Sequence, residues 1–134
     1  MTVVVDTSVV LALYDGTDDD HAAVARWYEG LDEDLVTTPV ALAEMDYLVT
    51  QRSGLPAAQG FWSDLDRGAI QVRWWSTALT ETIAIVRSRP VLGLADASLL
   101  ALAPVVRTTR IATLDRTHFD TARTPDGEPY ILLP

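Results

Sequence analysis

The sequence predicts an α/β fold of three layers, α/β/α, with a mostly parallel central sheet of four to five strands. Three observations predict it. Short β-rich runs such as "TVVV", "LVTT" and "RIAT" recur along the chain. Segments of helical period separate them. Those segments carry cap and breaker residues at their ends, so each helix returns the chain to the sheet.

The elements follow in order. "TVVVD" is a strand, and "SVVLALY" after it begins a helix. "DDDHAAVARWYEGL" opens on N-cap residues and spaces Ala22, Ala25, Trp27 and Leu31 as a helix does. A strand at "LVTT" leads into "TPVALAEMDYLVTQRSG", with Thr38 as cap, Pro39 at the first helical position and Gly54 beyond the end. "PAAQGFWSDLDRG" reads as a further helix closed by Gly68, and "AIQVRWW" as a strand. "TALTETIAIVRSR" is a helix stopped by Pro90, and "GLADASLLALAP" one that starts near Asp96 and stops at Pro104. "RIATLD" and "PYILLP" supply the last strands. No repeat or linker interrupts residues 1–134, which form one domain of ordinary size.

Composition excludes several classes. With 49% apolar and 22% charged residues the chain is globular. No stretch approaches the roughly 18 apolar residues of a membrane span. The apolar amino terminus carries Asp6 and no basic flank, which makes a poor signal peptide. The absence of cysteine removes disulfides and thiolate metal sites, and fits the cytoplasm. A net charge of −9 argues against binding nucleic acid through a broad basic surface. All ten basic residues are arginine, with no lysine or asparagine. A GC-rich genome accounts for that bias, and arginines chosen as phosphate forks are the other reading.

Four acids stand out. Asp6 follows "VVV" and Asp115 follows "IATL", at the carboxyl ends of predicted parallel strands, where α/β folds place their sites. Singly, Asp6 and Asp96 also fit as N-caps and Asp115 as a turn residue. Glu44 is less easily explained. At about 100° per residue it falls within the apolar arc that includes Val40, Met45 and Leu48, while Asp46 falls outside. A carboxylate facing inward needs a partner, and Arg52 lies about 80° away around the helix. Carboxylates a few ångströms apart repel by roughly 1–4 kcal/mol per pair, so a cluster of four calls for a cation. Oxygen ligands select Mg²⁺ or Mn²⁺ over zinc or copper. Such a metal at a sheet edge suits phosphate-ester hydrolysis.

The stretches "VVVDTSVVLAL", "TTPVALAEMDYLV", "GLADASLLALA" and "RIATLDRTHF" resemble, in order and spacing, the PIN-domain nucleases, and more narrowly the VapC-type toxins. The resemblance runs from Val3 to Phe119 and implies a PIN-like fold. It places the family's four acids on Asp6, Glu44, Asp96 and Asp115, with Thr113 as the supporting hydroxyl and Ser8 as the small polar residue after the first acid. It also implies an endoribonuclease dependent on Mg²⁺ or Mn²⁺, a cognate VapB-like antitoxin, a homodimer and a product carrying a 5′-phosphate. Asp6 and Asp96 would be direct metal ligands, with Glu44 and Asp115 completing the shell. Ala95 before the third acid and Pro104 with "VVRTTR" depart from the usual pattern.

The acidic balance leaves RNA contact to local arginines, of which Arg87, Arg89, Arg107, Arg110 and Arg116 lie near the last two motifs. Ser8, Arg110 and Arg116 are the candidate substrate contacts. "RWW" and Trp27–Tyr28 are expected to pack in the core or at a sheet edge, His21 to cap its helix or face solvent, and His118 to be structural. The alternatives are a phosphatase of the haloacid-dehalogenase type, a PIN-like binding domain without turnover, and a DNase. The first normally needs an aspartate at the position of Ser8, and a lysine, which this chain lacks.

Overall fold

The computed structural model describes all 134 residues. Five strands form one sheet: β1 (Thr2–Val5), β2 (Asp34–Thr37), β3 (Ile70–Val72), β4 (Arg110–Ala112) and β5 (Ile131–Leu133). Their spatial order is β3-β2-β1-β4-β5 and every pairing is parallel. Parallel strands need crossovers, and helices supply them: α1 (Thr7–Tyr14), α2 (His21–Glu29), α3 (Pro39–Asp66), α4 (Ala78–Ser88), α5 (Gly93–Val105) and α6 (Arg116–Phe119). The architecture is the expected three-layer α/β/α, with five strands at the upper end of the predicted number.

Val3, Val4 and Val5 are fully buried, as β1 is the central strand. They pack with Val9 and Val10 of α1, Met45 and Phe61 of α3, and Leu99 and Leu102 of α5 in one core. The chain order reverses between β1 and β4, which pair through Val4–Ile111 and Val5–Ala112. That switch point opens a crevice beyond the strands' carboxyl ends. No helix is long and apolar enough to cross a membrane.

Local sequence explains the helix that rises beside the crevice. Thr38 caps α3, its Oγ1 accepting from the Ala41 N–H at 3.2 Å, with Pro39 in the first turn. The two expected helices are continuous except at Gly54, whose φ of +82° and ψ of 179° break the helix. Only glycine takes that conformation without strain.

Several local expectations are corrected. In α2 the buried residue is Val24, while Ala22 is exposed. Strand β3 ends at Val72; Trp74 is exposed, and half-buried Trp75 donates its Nε1–H to Glu81 at 2.5 Å. Pro104 lies within the last turn of α5, which runs one residue further. Asp96 stands in the first turn of α5 rather than capping it.

Candidate metal centre

Asp6 closes β1 and caps α1. It is only 3% exposed, yet three donors reach it. Its Oδ1 accepts from the Ser8 N–H at 2.7 Å and the Ser8 hydroxyl at 2.5 Å. Its Oδ2 accepts from the Thr113 hydroxyl at 2.5 Å. A carboxylate offers about four lone-pair positions, so Oδ2 keeps one for a further partner. Burial pushes the Asp6 carboxyl above its ordinary range, against the lowering effect of the Ser8 and Thr113 hydrogen bonds.

The same hydroxyls tie β4 to β1. Ser8 Oγ accepts from the Leu114 N–H at 2.8 Å, and Thr113 Oγ1 accepts from the Asp115 N–H at 2.9 Å. Asp115 is thereby set beside Asp6 at the switch point, half-buried, ahead of the single turn of α6. Asp96 reaches the crevice from α5. Burial pushes its carboxyl up to about 6, opposed by a hydrogen bond from His118 and reinforced by the charges of Asp6 and Glu44.

Glu44 arrives from α3, but its side chain is exposed rather than inward-facing. Ahead of Gly54 the buried stripe of that helix is Ala41, Met45 and Val49, and Glu44 stands beside it on the crevice wall. Asp46 donates nothing to the site; it accepts the Trp62 indole N–H on the outer face.

All four predicted acids therefore line one open cleft of about 420 Å³, together with Asp18, Asp20, Arg52 and His118. None of the four is paired with an arginine; the arginine ion pairs are Arg67–Asp64 and Arg110–Glu33. Four carboxylates in one open cleft, none of them paired with the Arg52 guanidinium on its wall, are the donor chemistry that a divalent cation fits.

Ser8 and Thr113 orient Asp6 from behind. Arg116 is exposed next to Asp115, with one N–H on the Pro134 carbonyl at 3.3 Å. Arg110 is not part of the cleft. It begins β4 and forks onto Glu33 with contacts of 2.8 and 2.9 Å. Arg89 is engaged by the His118 carbonyl at 3.2 Å and Thr121 at 2.7 Å.

His118 is the residue that the sequence reading left out of the site. Its Nδ1 lies 2.7 Å from Asp96 Oδ2 and 3.0 Å from Asp115 Oδ2. The signal was present in "DRTH": three residues apart on a helical turn, Asp115 and His118 share a face.

The PIN domain family model matches residues 3–124. The chain is 35% identical to Ribonuclease VapC26 of Mycobacterium tuberculosis, over 98% of this chain and 99% of that protein. Among solved structures it is similar to M. tuberculosis VapC20, described as a sarcin-ricin-loop-cleaving toxin. That match has a TM-score of 0.78 at 18% identity, covering 87% of this chain and 92% of the other. It is also similar to VapBC2 of Rickettsia felis bound to a promoter DNA fragment, with a TM-score of 0.64 at 15% identity, covering 98% and 97%. At those identities the structural likeness speaks for the fold, while the family match and the VapC26 relationship carry the assignment. The chain belongs to the PIN-domain family.

Proposed function

We propose that this chain is an endoribonuclease that hydrolyses RNA phosphodiester bonds with Mg²⁺ or Mn²⁺, as the toxin of a VapBC-type toxin–antitoxin pair. The observation that carries the reading is the convergence of Asp6, Glu44, Asp96 and Asp115 on one open cleft at the switch point. The near full-length relationship to a protein named as a ribonuclease supports RNA as substrate. The likeness to a VapBC complex supports an antitoxin partner.

A bound divalent ion would polarise a water molecule and offset phosphate charge. The protein's own residues do the rest. Asp96 and Asp115 offer carboxylate oxygens at the cleft surface, and Asp6 offers its one remaining lone pair from below. Glu44, exposed on the wall and without an ion pair, is placed to orient a water and accept its proton. Ser8 is no nucleophile, because its hydroxyl is committed to Asp6 and to the Leu114 N–H. Arg116 is the guanidinium beside Asp115 available to an RNA phosphate. The exposed apolar side chains Tyr47, Leu94 and Val91 provide surface for a second copy of the chain or the antitoxin.

The test is incubation with structured RNA, duplex DNA and a small phosphate ester, each with Mg²⁺, Mn²⁺ or EDTA. RNA cutting that EDTA and Asp96→Asn abolish is expected. Ester turnover alone, DNA cutting alone, or RNA binding without cutting each contradicts the reading.

A further inference from the structure

His118 faces two acids from two different elements with a single ring nitrogen. Nδ1 is 2.7 Å from Asp96 on α5 and 3.0 Å from Asp115 after β4. One donor atom from each of the three residues lies within 4.8 Å of the other two. The backbone that carries the imidazole is anchored on either side of its carbonyl. Phe119 beside it is buried in the core, and Arg89 donates to the His118 carbonyl at 3.2 Å.

Those spacings have a geometric meaning. An octahedral ion with bonds of about 2.0–2.1 Å places neighbouring ligand atoms about 2.9 Å apart. The two nitrogen–oxygen distances bracket that value. Asp6, by contrast, has most of its acceptor capacity committed to Ser8 and Thr113. Resting on the divalent-metal reading above, we propose that His118 is a direct metal ligand with Asp96 and Asp115, its Nδ1 giving up to solvent the proton it shares with Asp96 in the metal-free protein, in a mixed nitrogen–oxygen site that favours Mn²⁺ over Mg²⁺. The nitrogen is what tilts the choice, since Mg²⁺ is a hard ion that dehydrates reluctantly and keeps to oxygen, so an imidazole nitrogen penalises it more than the larger Mn²⁺.

Pulsed EPR of Mn²⁺ bound to the wild-type protein, unlabelled and with ¹⁵N-histidine, tests this without any variant. A ¹⁴N coupling that becomes ¹⁵N on labelling is expected. The only other histidine, His21, is engaged at 2.7 Å with the Ala12 carbonyl. His118→Gln should lose the coupling, weaken Mn²⁺ at least about tenfold and leave Mg²⁺ much less changed. Bound Mn²⁺ with no histidine coupling overturns the ligand role and leaves the nuclease reading standing, with His118 a hydrogen-bonding clamp. A coupling that survives His118→Gln also overturns it. Failure of the wild type to bind Mn²⁺ at all overturns both.

Discussion

Thr113 donates its hydroxyl hydrogen to Asp6 Oδ2 at 2.5 Å, joining the ends of the two strands that flank the switch point. The Thr113 Oγ1 also accepts the Asp115 N–H, so one buried hydroxyl positions two of the cleft's acids. Thr113→Val keeps the shape and removes the hydroxyl. It leaves a buried carboxylate oxygen and an N–H without partners, at a cost of about 1.5–3 kcal/mol. Chemical denaturation should show that loss, and RNA cleavage should fall with it although Thr113 touches no substrate.

Asp96 makes the metal-free protein's stability depend on pH. Its folded carboxyl sits at about 6, above the ordinary 3.8, chiefly because it is buried. Between those values the folded state holds a proton that the unfolded chain releases. The stabilising contribution is therefore full below about 3.8 and is lost as pH rises through about 6. Asp96→Asn should melt higher than the metal-free wild type at pH 7.5, with the gap narrowing as pH falls below about 6 and closing as it approaches about 3.8. Mn²⁺ requires the ionised group, so the melting shift it gives the wild type should shrink as pH falls through about 6. Thermal melts of both proteins across pH, with and without Mn²⁺, read both effects. A gap that is the same at every pH contradicts the argument.

Arg110 lies in the fourth motif but serves the scaffold. Three residues before Thr113, at about 3.3 Å per strand residue, it stands about 10 Å from the catalytic edge. There it forks onto Glu33. Arg110→Ala should cost about 1 kcal/mol in denaturation and leave RNA cleavage per folded molecule unchanged. Arg116→Ala should do the reverse, weakening RNA binding with little change in stability.

How far the site could be read from sequence follows from what fixes each residue. Asp6 and Asp115 were legible because a strand's carboxyl end is marked by the strand itself. Glu44 was found but misoriented. Val40, Leu42, Tyr47 and Leu48 widen the apolar arc of α3, yet ahead of Gly54 the buried residues are Ala41, Met45 and Val49, and Tyr47 is 63% exposed. An arc drawn from hydrophobicity includes flanks that packing leaves in water. Arg110 was misassigned because proximity in the chain says nothing about which end of a strand a side chain occupies. His118 was missed because its role depends on Asp96, 22 residues away on another helix.

The most direct test is an anomalous difference map from crystals grown with Mn²⁺ and measured at the manganese edge. A peak between the carboxylates of Asp96 and Asp115, with Asp6 beneath it and Glu44 across the cleft, is the predicted result. Manganese bound elsewhere on the acidic surface, such as at Asp18 and Asp20, with nothing between Asp96 and Asp115, would contradict it.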